Sequence, residues 1–234
     1  MAAPADPRGG ALPVLTVFAD APDRGRGLAR DMRVRWALEE EERGYSVRTL
    51  DLARLRDPDH LARHPFGQIP VFEDGGLCLF ESGAIVLHVA ASGRVLLPAE
   101  PGARARALGW MFAATSTIEP AIVAREEAHY RERDRPWFAE RLALVEAGIA
   151  DRLAQLAARL GSGPWLDRDF SAGDLMMIDA LRRLEGSGLL LRFPALAAYV
   201  ARGEARPAFA RAFAAQRALA LSGQPGGPGD RPAP

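Results

Sequence analysis

The chain has 234 residues but one cysteine, Cys78, and no lysine. A single cysteine excludes an internal disulfide, a CxxC redox pair and a thiolate cluster for zinc. The absence of lysine excludes a lysine Schiff base and a P-loop lysine as catalytic devices. The composition therefore favours a reducing compartment and a chemistry that uses neither group.

The chain also lacks an excess of either charge, since its 30 basic and 30 acidic residues cancel and are interleaved. No electropositive surface is expected to hold a nucleic acid. The first ten residues contain no apolar leader, and no apolar run approaches the roughly 20 residues that span a bilayer. The few histidines lack metal-ligand spacing. We expect a soluble, cytoplasmic protein that binds no metal, nucleic acid or membrane.

The first fifty residues carry the pattern of a strand, a helix and a second strand. Leu12 to Phe18 predicts a buried strand, 19–27 a loop, Leu28 to Arg43 a helix, and Tyr45 to Leu50 a second strand. These strands would be parallel, with a right-handed crossover. The helix is apolar on two faces, which predicts that it lies between a sheet and a second domain.

The strongest hairpin signal lies between Ile69 and Phe80. The apolar runs 69–72 and 77–80 are separated by Glu73-Asp74-Gly75-Gly76, a turn-forming sequence. Ser82 can then cap a helix that ends near Ala91. The order of elements, βαβαββα, predicts a thioredoxin-like domain at 12–92.

Everything after residue 103 has a helical pattern. Leucine, valine and isoleucine recur at spacings of three and four from Leu142 to Leu160, which predicts a long amphipathic helix. Pro120 is expected to interrupt an earlier helix and Pro207 a later one. The fold class is therefore α/β plus all-α: a disordered N-terminus at 1–11, the domain at 12–92, a linker at 93–103, an all-helical domain at 104–221 and a disordered tail at 222–234.

Four segments, in the expected order along the chain, resemble the cytosolic glutathione transferases, most closely the theta and phi types and their bacterial relatives. The glutathione-site signature is matched by Arg63-His-Pro-Phe-Gly-Gln-Ile-Pro70 and by Leu79-Phe-Glu-Ser-Gly-Ala-Ile85. Val34-Arg-Trp-Ala-Leu-Glu-Glu40 and Phe170-Ser-Ala-Gly-Asp174 add support. The resemblance covers nearly the whole chain and implies a thioredoxin-like domain followed by an all-helical domain, with glutathione as co-substrate and a homodimer as the assembly.

A proline that opens a strand cannot donate to the ladder, and a cis bond there would turn the preceding backbone groups outward. The resemblance implies that Pro70 is cis and that Ile69 offers its backbone to the cysteinyl part of glutathione. An ordinary trans proline at a strand start is the alternative.

Glu81 and Ser82 stand where a strand ends and a helix begins, so amides, a hydroxyl and the helix dipole converge. By resemblance Ser82 holds the γ-glutamyl carboxylate and Glu81 lies near the amino group. Alternatively, Ser82 is only a helix cap.

Gln68 is expected to bind the glycyl or cysteinyl end of the ligand. For the glycyl carboxylate we favour Arg56 over Arg54, His60 and His64, although solvation at the surface explains all four equally well.

The sequence departs from the family after its first strand, where a serine, tyrosine or cysteine normally assists the glutathione thiol. Residues 17–35 contain none of these, and no threonine. In one hypothesis, Arg24 or Arg26 and free amides at the start of the first helix lower the pKa of the thiol, so that conjugation to small hydrophobic electrophiles survives. In the other, the chain is a non-catalytic glutathione-binding or protein-interaction module and the arginines are simply solvated.

Two further sets of residues complete the predictions. Ser171 and Asp174 form a capping-box variant, which is a structural role. Cys78 is predicted to be a small core residue rather than a nucleophile. The pocket for the hydrophobic co-substrate is predicted between loop 19–27 and a helix that carries Trp110, Met111, Ala114 and Thr115.

Overall fold

The computed structural model describes residues 11–222 and divides into two compact units. The first unit comprises residues 11–89 and 207–222, and the second comprises 90–206. The tails predicted to be disordered, 1–11 and 222–234, lie almost entirely outside the described residues.

A four-stranded mixed sheet forms the centre of the first unit. Its order is β2-β1-β3-β4, with β1 parallel to β2 and the other neighbours antiparallel. The helix α1 connects the two parallel strands, as predicted. The bounds are β1 Val14–Phe18, α1 Asp31–Glu40, β2 Ser46–Leu50, β3 Val71–Asp74 and β4 Leu77–Phe80.

Helix α1 is shorter than the predicted span of 28–43. It stops at Glu40 because Glu42 adopts a φ of 50° and the Arg43 amide donates to the Leu38 carbonyl at 2.8 Å. Both apolar faces are buried, as the pattern predicted. One partner of α1 is the last helix of the chain, α9, since the rings of Trp36 and Phe209 meet edge to face at 5.0 Å.

The segment between β2 and β3 is irregular, as expected. It contains a 3₁₀ turn, Leu52–Arg56, and a single helical turn, α2 at Pro58–Leu61. The hairpin turn is only two residues long, because Gly75 and Gly76 both take positive φ values of 54° and 89°, which two-residue hairpin turns require. Helix α3, Ser82–Ser92, follows. The predicted thioredoxin-like order is confirmed.

The second unit is helical. Its helices are α4 Pro101–Ala113, α5 Glu119–Arg131, α6 Phe138–Leu160, α7 Ala172–Arg182 and α8 Pro194–Glu204. The predicted interruption at Pro120 is confirmed, since a π-helical turn at Ala114–Ile118 joins α4 to α5.

The run from Pro101 to Arg131 is longer and more apolar than the sequence analysis allowed. Its most apolar 18-residue window reaches a mean hydropathy of 1.2, enough by length and composition to cross a membrane. A core helix in a soluble protein passes the same criterion, and 33% of that window is buried. The feature is therefore weak evidence for a membrane span.

The helix α9, Pro207–Ser222, begins after the predicted break at Pro207. It belongs to the first unit and not to the helical second unit, although it was included in the predicted helical domain at 104–221. Besides the ring contact, Gln216 Nε2 donates to Asp31 Oδ1 at 3.0 Å, and Arg211 Nε to Glu39 Oε2 at 2.7 Å. The chain thus returns to the first unit after completing the second.

Candidate functional site

The bond between Ile69 and Pro70 is cis, as predicted. Pro70 immediately precedes β3, whose first residue Val71 pairs with Thr16 of β1. Pro70 is buried and Ile69 is 8% exposed. The trans alternative therefore does not apply at this position, and the backbone recognition by Ile69 stays a prediction.

The start of α3 forms the second part of the candidate site. Glu81 has a φ of 68°, a strained conformation of the kind that clusters at ligand sites. The Glu81 carbonyl accepts from the Ile85 amide, so α3 begins at Ser82. The Ser82 hydroxyl is buried and lies 3.4 Å from Nη1 of Arg33, an α1 residue that the sequence analysis missed. A guanidinium beside the first amides of a helix favours an anion there.

The segment before Pro70 is held by close packing. Gly67 has a φ of 60°, and a Cβ atom there would lie 2.6 Å from the Leu55 carbonyl oxygen. The Gln68 side chain is exposed, while its carbonyl accepts from Nε2 of His60 at 2.9 Å. A Cβ at Gly67 would also lie 3.4 Å from Cδ of Arg56, so Arg56 lies beside the segment that carries Gln68.

The other candidates for binding the glycyl carboxylate, Arg54, His60 and His64, have different surroundings. Arg54 pairs with Asp57 at 2.8 Å. His60 and His64 are 1% and 2% exposed, so solvation at the surface does not explain either imidazole. Burial lowers the pKa of His64, although the charge of Glu81 acts in the opposite direction.

In the loop after β1, several backbone amides are hydrogen-bonded to the carboxylate of Asp23. The Asp23 carboxylate accepts from the amides of Leu28 at 2.5 Å and Ala29 at 2.9 Å, and also from the Gly25 amide. The Leu28 and Ala29 amides, at the start of the predicted helix, are therefore already occupied by a carboxylate, while the action of amides at the start of α1 on the thiol stays a prediction. Arg24 and Arg26 are exposed, and their role in activation stays a prediction.

The residues predicted to line the co-substrate pocket separate into two sets. Trp110 lines a cavity of about 190 Å³ within the second unit, together with Leu156 and Met177, and Arg159 lies 5.7 Å from its ring centroid. Met111 and Ala114 are buried and do not line that cavity. The Thr115 hydroxyl donates to the carbonyls of Met111 and Phe112.

The capping box is confirmed as structural. The Ser171 hydroxyl accepts from the Gly173 amide, while the Asp174 carboxylate accepts from the Ser171 amide. Asp174 also accepts from the Leu166 amide and the Tyr199 hydroxyl, both at 2.9 Å.

Cys78 is not the core residue that was predicted, because it lies exposed on the edge strand β4. The strand pattern alone could not show which face of β4 is covered. Partial burial of the thiol raises its pKa, and the charge of Glu73 adds to this. Within residues 11–222, no group of three or more histidine, cysteine or acidic side chains is arranged to hold a metal ion.

Comparison with known proteins shows which family the chain is similar to. The sequence model described as "Glutathione S-transferase, N-terminal domain" matches residues 24–91. Residues 24–91 therefore match the N-terminal domain of the glutathione transferase family, and the chain is similar to members of that family. Among the plant relatives, Glutathione S-transferase 4 of Zea mays is 51% identical over 53 residues, which are 21% of this chain and 24% of the maize protein. The matched segment therefore spans about a quarter of that relative.

Relatives that match over more of the chain have a lower sequence identity. The glutathione S-transferase of Hyoscyamus muticus is 27% identical over 202 residues, 78% of this chain and 92% of that protein. Poplar glutathione transferase F1 superimposes with a TM-score of 0.77 at 19% identity, over 89% of this chain and all of that one. The structure titled "Ure2p in Complex with Glutathione" superimposes with a TM-score of 0.75 at 20% sequence identity, over 87% of this chain and 93% of that one. At these identities the structures support the fold alone, and the plant relatives are compatible with a phi-like placement.

Two residues near the site, Asp23 and Arg33, escaped the sequence analysis, and His60 was considered only as a ligand of the glycyl carboxylate. Arg33 stands between two buried apolar residues of α1, and its partner Ser82 is 49 positions away. The Asp23 interaction is local and had a signal, because an aspartate before a glycine-rich loop commonly accepts from amides a few residues on. Nothing in the pattern of 52–68 distinguished His60 from His64.

Proposed function

We propose that this glutathione transferase homologue binds glutathione in its 12–92 domain and conjugates the thiol to small hydrophobic electrophiles. The observation that carries the proposal is the buried Ser82 hydroxyl beside Arg33 at the start of α3. Ile69 would pair with the cysteinyl backbone, Ser82 would hold the γ-glutamyl carboxylate, Glu81 the amino group, and Gln68 with Arg56 the glycyl end.

A second candidate is a glutathione-binding or protein-interaction module without conjugation. The contacts of Asp23 favour it, because this carboxylate occupies amides of the loop and its charge opposes a nearby thiolate. Under the transferase hypothesis, Arg24 or Arg26 must offset that charge.

We also propose that the protein is a cytoplasmic homodimer. Support for the dimer comes from an aromatic cluster of His64, Phe66 and Phe80, in which the two phenylalanine rings lie 6.3 Å apart. Phe66 is 62% exposed in the single chain, and burial of such a side chain favours association.

Replacement of Ser82 tests glutathione binding directly. Ser82→Ala should weaken glutathione binding about 10- to 100-fold by calorimetry, because one hydrogen bond to a charged group is lost. Ser92→Ala, at the exposed end of the same helix, is the matched control and should bind within about twofold of the wild type. Unchanged affinity in Ser82→Ala would remove the proposed anion site.

Conjugation separates the two candidate functions. A transferase should act on at least one aryl halide, epoxide or isothiocyanate, and should lower the pKa of bound glutathione below the roughly 8.5 of a free thiol, as ultraviolet absorbance of the thiolate reports. Binding with no turnover and an unshifted thiol pKa would favour the non-catalytic module.

A further inference from the structure

The imidazole of His60 makes a well-formed hydrogen bond to Gln68, the residue before Ile69. Its Nε2 lies 2.9 Å from the Gln68 carbonyl oxygen. A carbonyl can only accept, so Nε2 must carry the proton in this contact. The imidazole is 1% exposed, so the bond is shielded from competing water.

Contacts at two residues, Gly67 and Gln68, hold the backbone that leads into Pro70. At Gly67, the approach of the Leu55 carbonyl leaves no room for a Cβ atom, and the Gly67 amide donates to the His64 carbonyl at 2.9 Å. At the next residue, His60 holds the Gln68 carbonyl inward while the Gln68 side chain stays exposed. Since β3 begins only at Val71, the ladder does not hold Gln68.

We propose that His60 is a positioning residue for glutathione binding. By fixing the Gln68 carbonyl, it sets the direction of the Gln68 side chain and of the Ile69 backbone, both of which are placed against the ligand in the proposed function on which this inference rests. His60 does not touch glutathione, because it is buried beneath the segment it orients.

The hydrogen-bonding groups of the His60 imidazole indicate which substitution should keep the hydrogen bond to the Gln68 carbonyl. Nδ1 of His60 is buried and has no hydrogen-bond partner among the described residues, so only the donor at Nε2 is used. The amide nitrogen of a glutamine can stand where Nε2 stands, whereas leucine fills the space and donates nothing. His64, one helical turn later and equally buried, contacts Phe80 at a ring distance of 5.1 Å and serves as the matched control.

Three variants test the inference through glutathione affinity and thermal stability. His60→Leu should raise the Kd for glutathione about tenfold, as expected for one lost buried hydrogen bond. His60→Gln should return the Kd to within about threefold of the wild type. His64→Leu should lower Tm by a similar amount to His60→Leu but leave the Kd within about twofold. Equal weakening by both leucine variants, or no rescue by a folded His60→Gln, would overturn the proposal.

Hydrogen exchange tests the same contact without glutathione. In His60→Leu, peptides covering 66–71 should exchange at least about fivefold faster than in the wild type, since local opening costs less once the bond is gone. His64→Leu should accelerate exchange in that segment clearly less, since its ring only packs against Phe66 there, and equal acceleration in both would refute the specific role of His60. If the wild type bound no glutathione, the proposed function would fail, while exchange at 66–71 would still decide whether His60 holds the segment.

Discussion

The folded protein shifts the pKa values of Asp74 and Asp174 in opposite directions. Burial acts to raise the pKa of Asp74, but hydrogen bonds and charges from Arg43 and His88 outweigh it, and the net pKa is lowered. The Arg43 Nη2 contact is 2.6 Å long. At Asp174 burial prevails over the hydrogen bonds it accepts, and the pKa is raised. The first carboxylate therefore stabilises the fold when it is charged, while charging the second costs stability.

Asp74→Asn should lower the free energy of unfolding by about 1 kcal/mol at neutral pH. A lowered folded pKa gives stability above the unfolded value, and that stability is lost as the pH falls through the folded value. The deficit of the variant should thus disappear in acid, as urea unfolding over a pH series would show. Asp151→Asn, at an exposed position of α6, is the control, and a deficit that persists in acid would contradict this account.

At the residue scale, the sequence predicted groups that are local in the chain. Pro70, Glu81, Ser82 and Gln68 follow from contiguous motifs. The Arg33–Ser82 contact joins residues 49 positions apart, and the burial of His60 depends on how 52–68 folds back on itself. Such contacts are set by tertiary packing, which has no periodic signature in one sequence.

Glycines in the helices of the second unit differ in what a methyl group would meet. A Cβ at Gly148 in α6 would meet nothing within 4 Å. At Gly173 in α7 it would lie 2.5 Å from the Trp110 Cβ and 2.9 Å from the Ala107 carbonyl oxygen. The close approach of α4 to α7 therefore depends on Gly173.

Gly148→Ala should raise the free energy of unfolding by about 1 kcal/mol, because alanine loses less backbone entropy in a helix. Gly173→Ala should lower it by about 2 kcal/mol through overpacking against backbone that cannot yield. Chemical denaturation of the two variants compares them directly, and a stable Gly173→Ala protein would show that α4 can move away from α7.

At the element scale, strands and helices were predicted well, and their ends less so. Helix α1 is shorter at both ends than its apolar pattern, because the residues at 28–30 follow the turn organised by Asp23 and the left-handed Glu42 ends the helix. The π-helical turn before Pro120 was predicted only as an interruption, since proline marks the position of a break and not its geometry.

At the scale of the whole molecule, the aromatic cluster leads to a test of assembly. The wild type should sediment with twice the mass of one chain, and Phe66→Arg should sediment as a monomer, because a charge would replace an aromatic ring in the proposed interface. Leu191→Arg, which changes a 77% exposed leucine in the second unit, should leave the mass unchanged. A monomeric wild type, or a dimeric Phe66→Arg protein, would exclude this interface.

The return of α9 to the first unit affects how the protein is made on the ribosome. Trp36 and Asp31 receive their partners Phe209 and Gln216 only after the whole of 90–206 has been translated, which takes on the order of ten seconds. During that interval the nascent chain already holds Pro70 and Ser82 but lacks the cover for α1. The domain proposed to bind glutathione therefore precedes the second unit in the chain, yet its core is complete only after that unit has been synthesised.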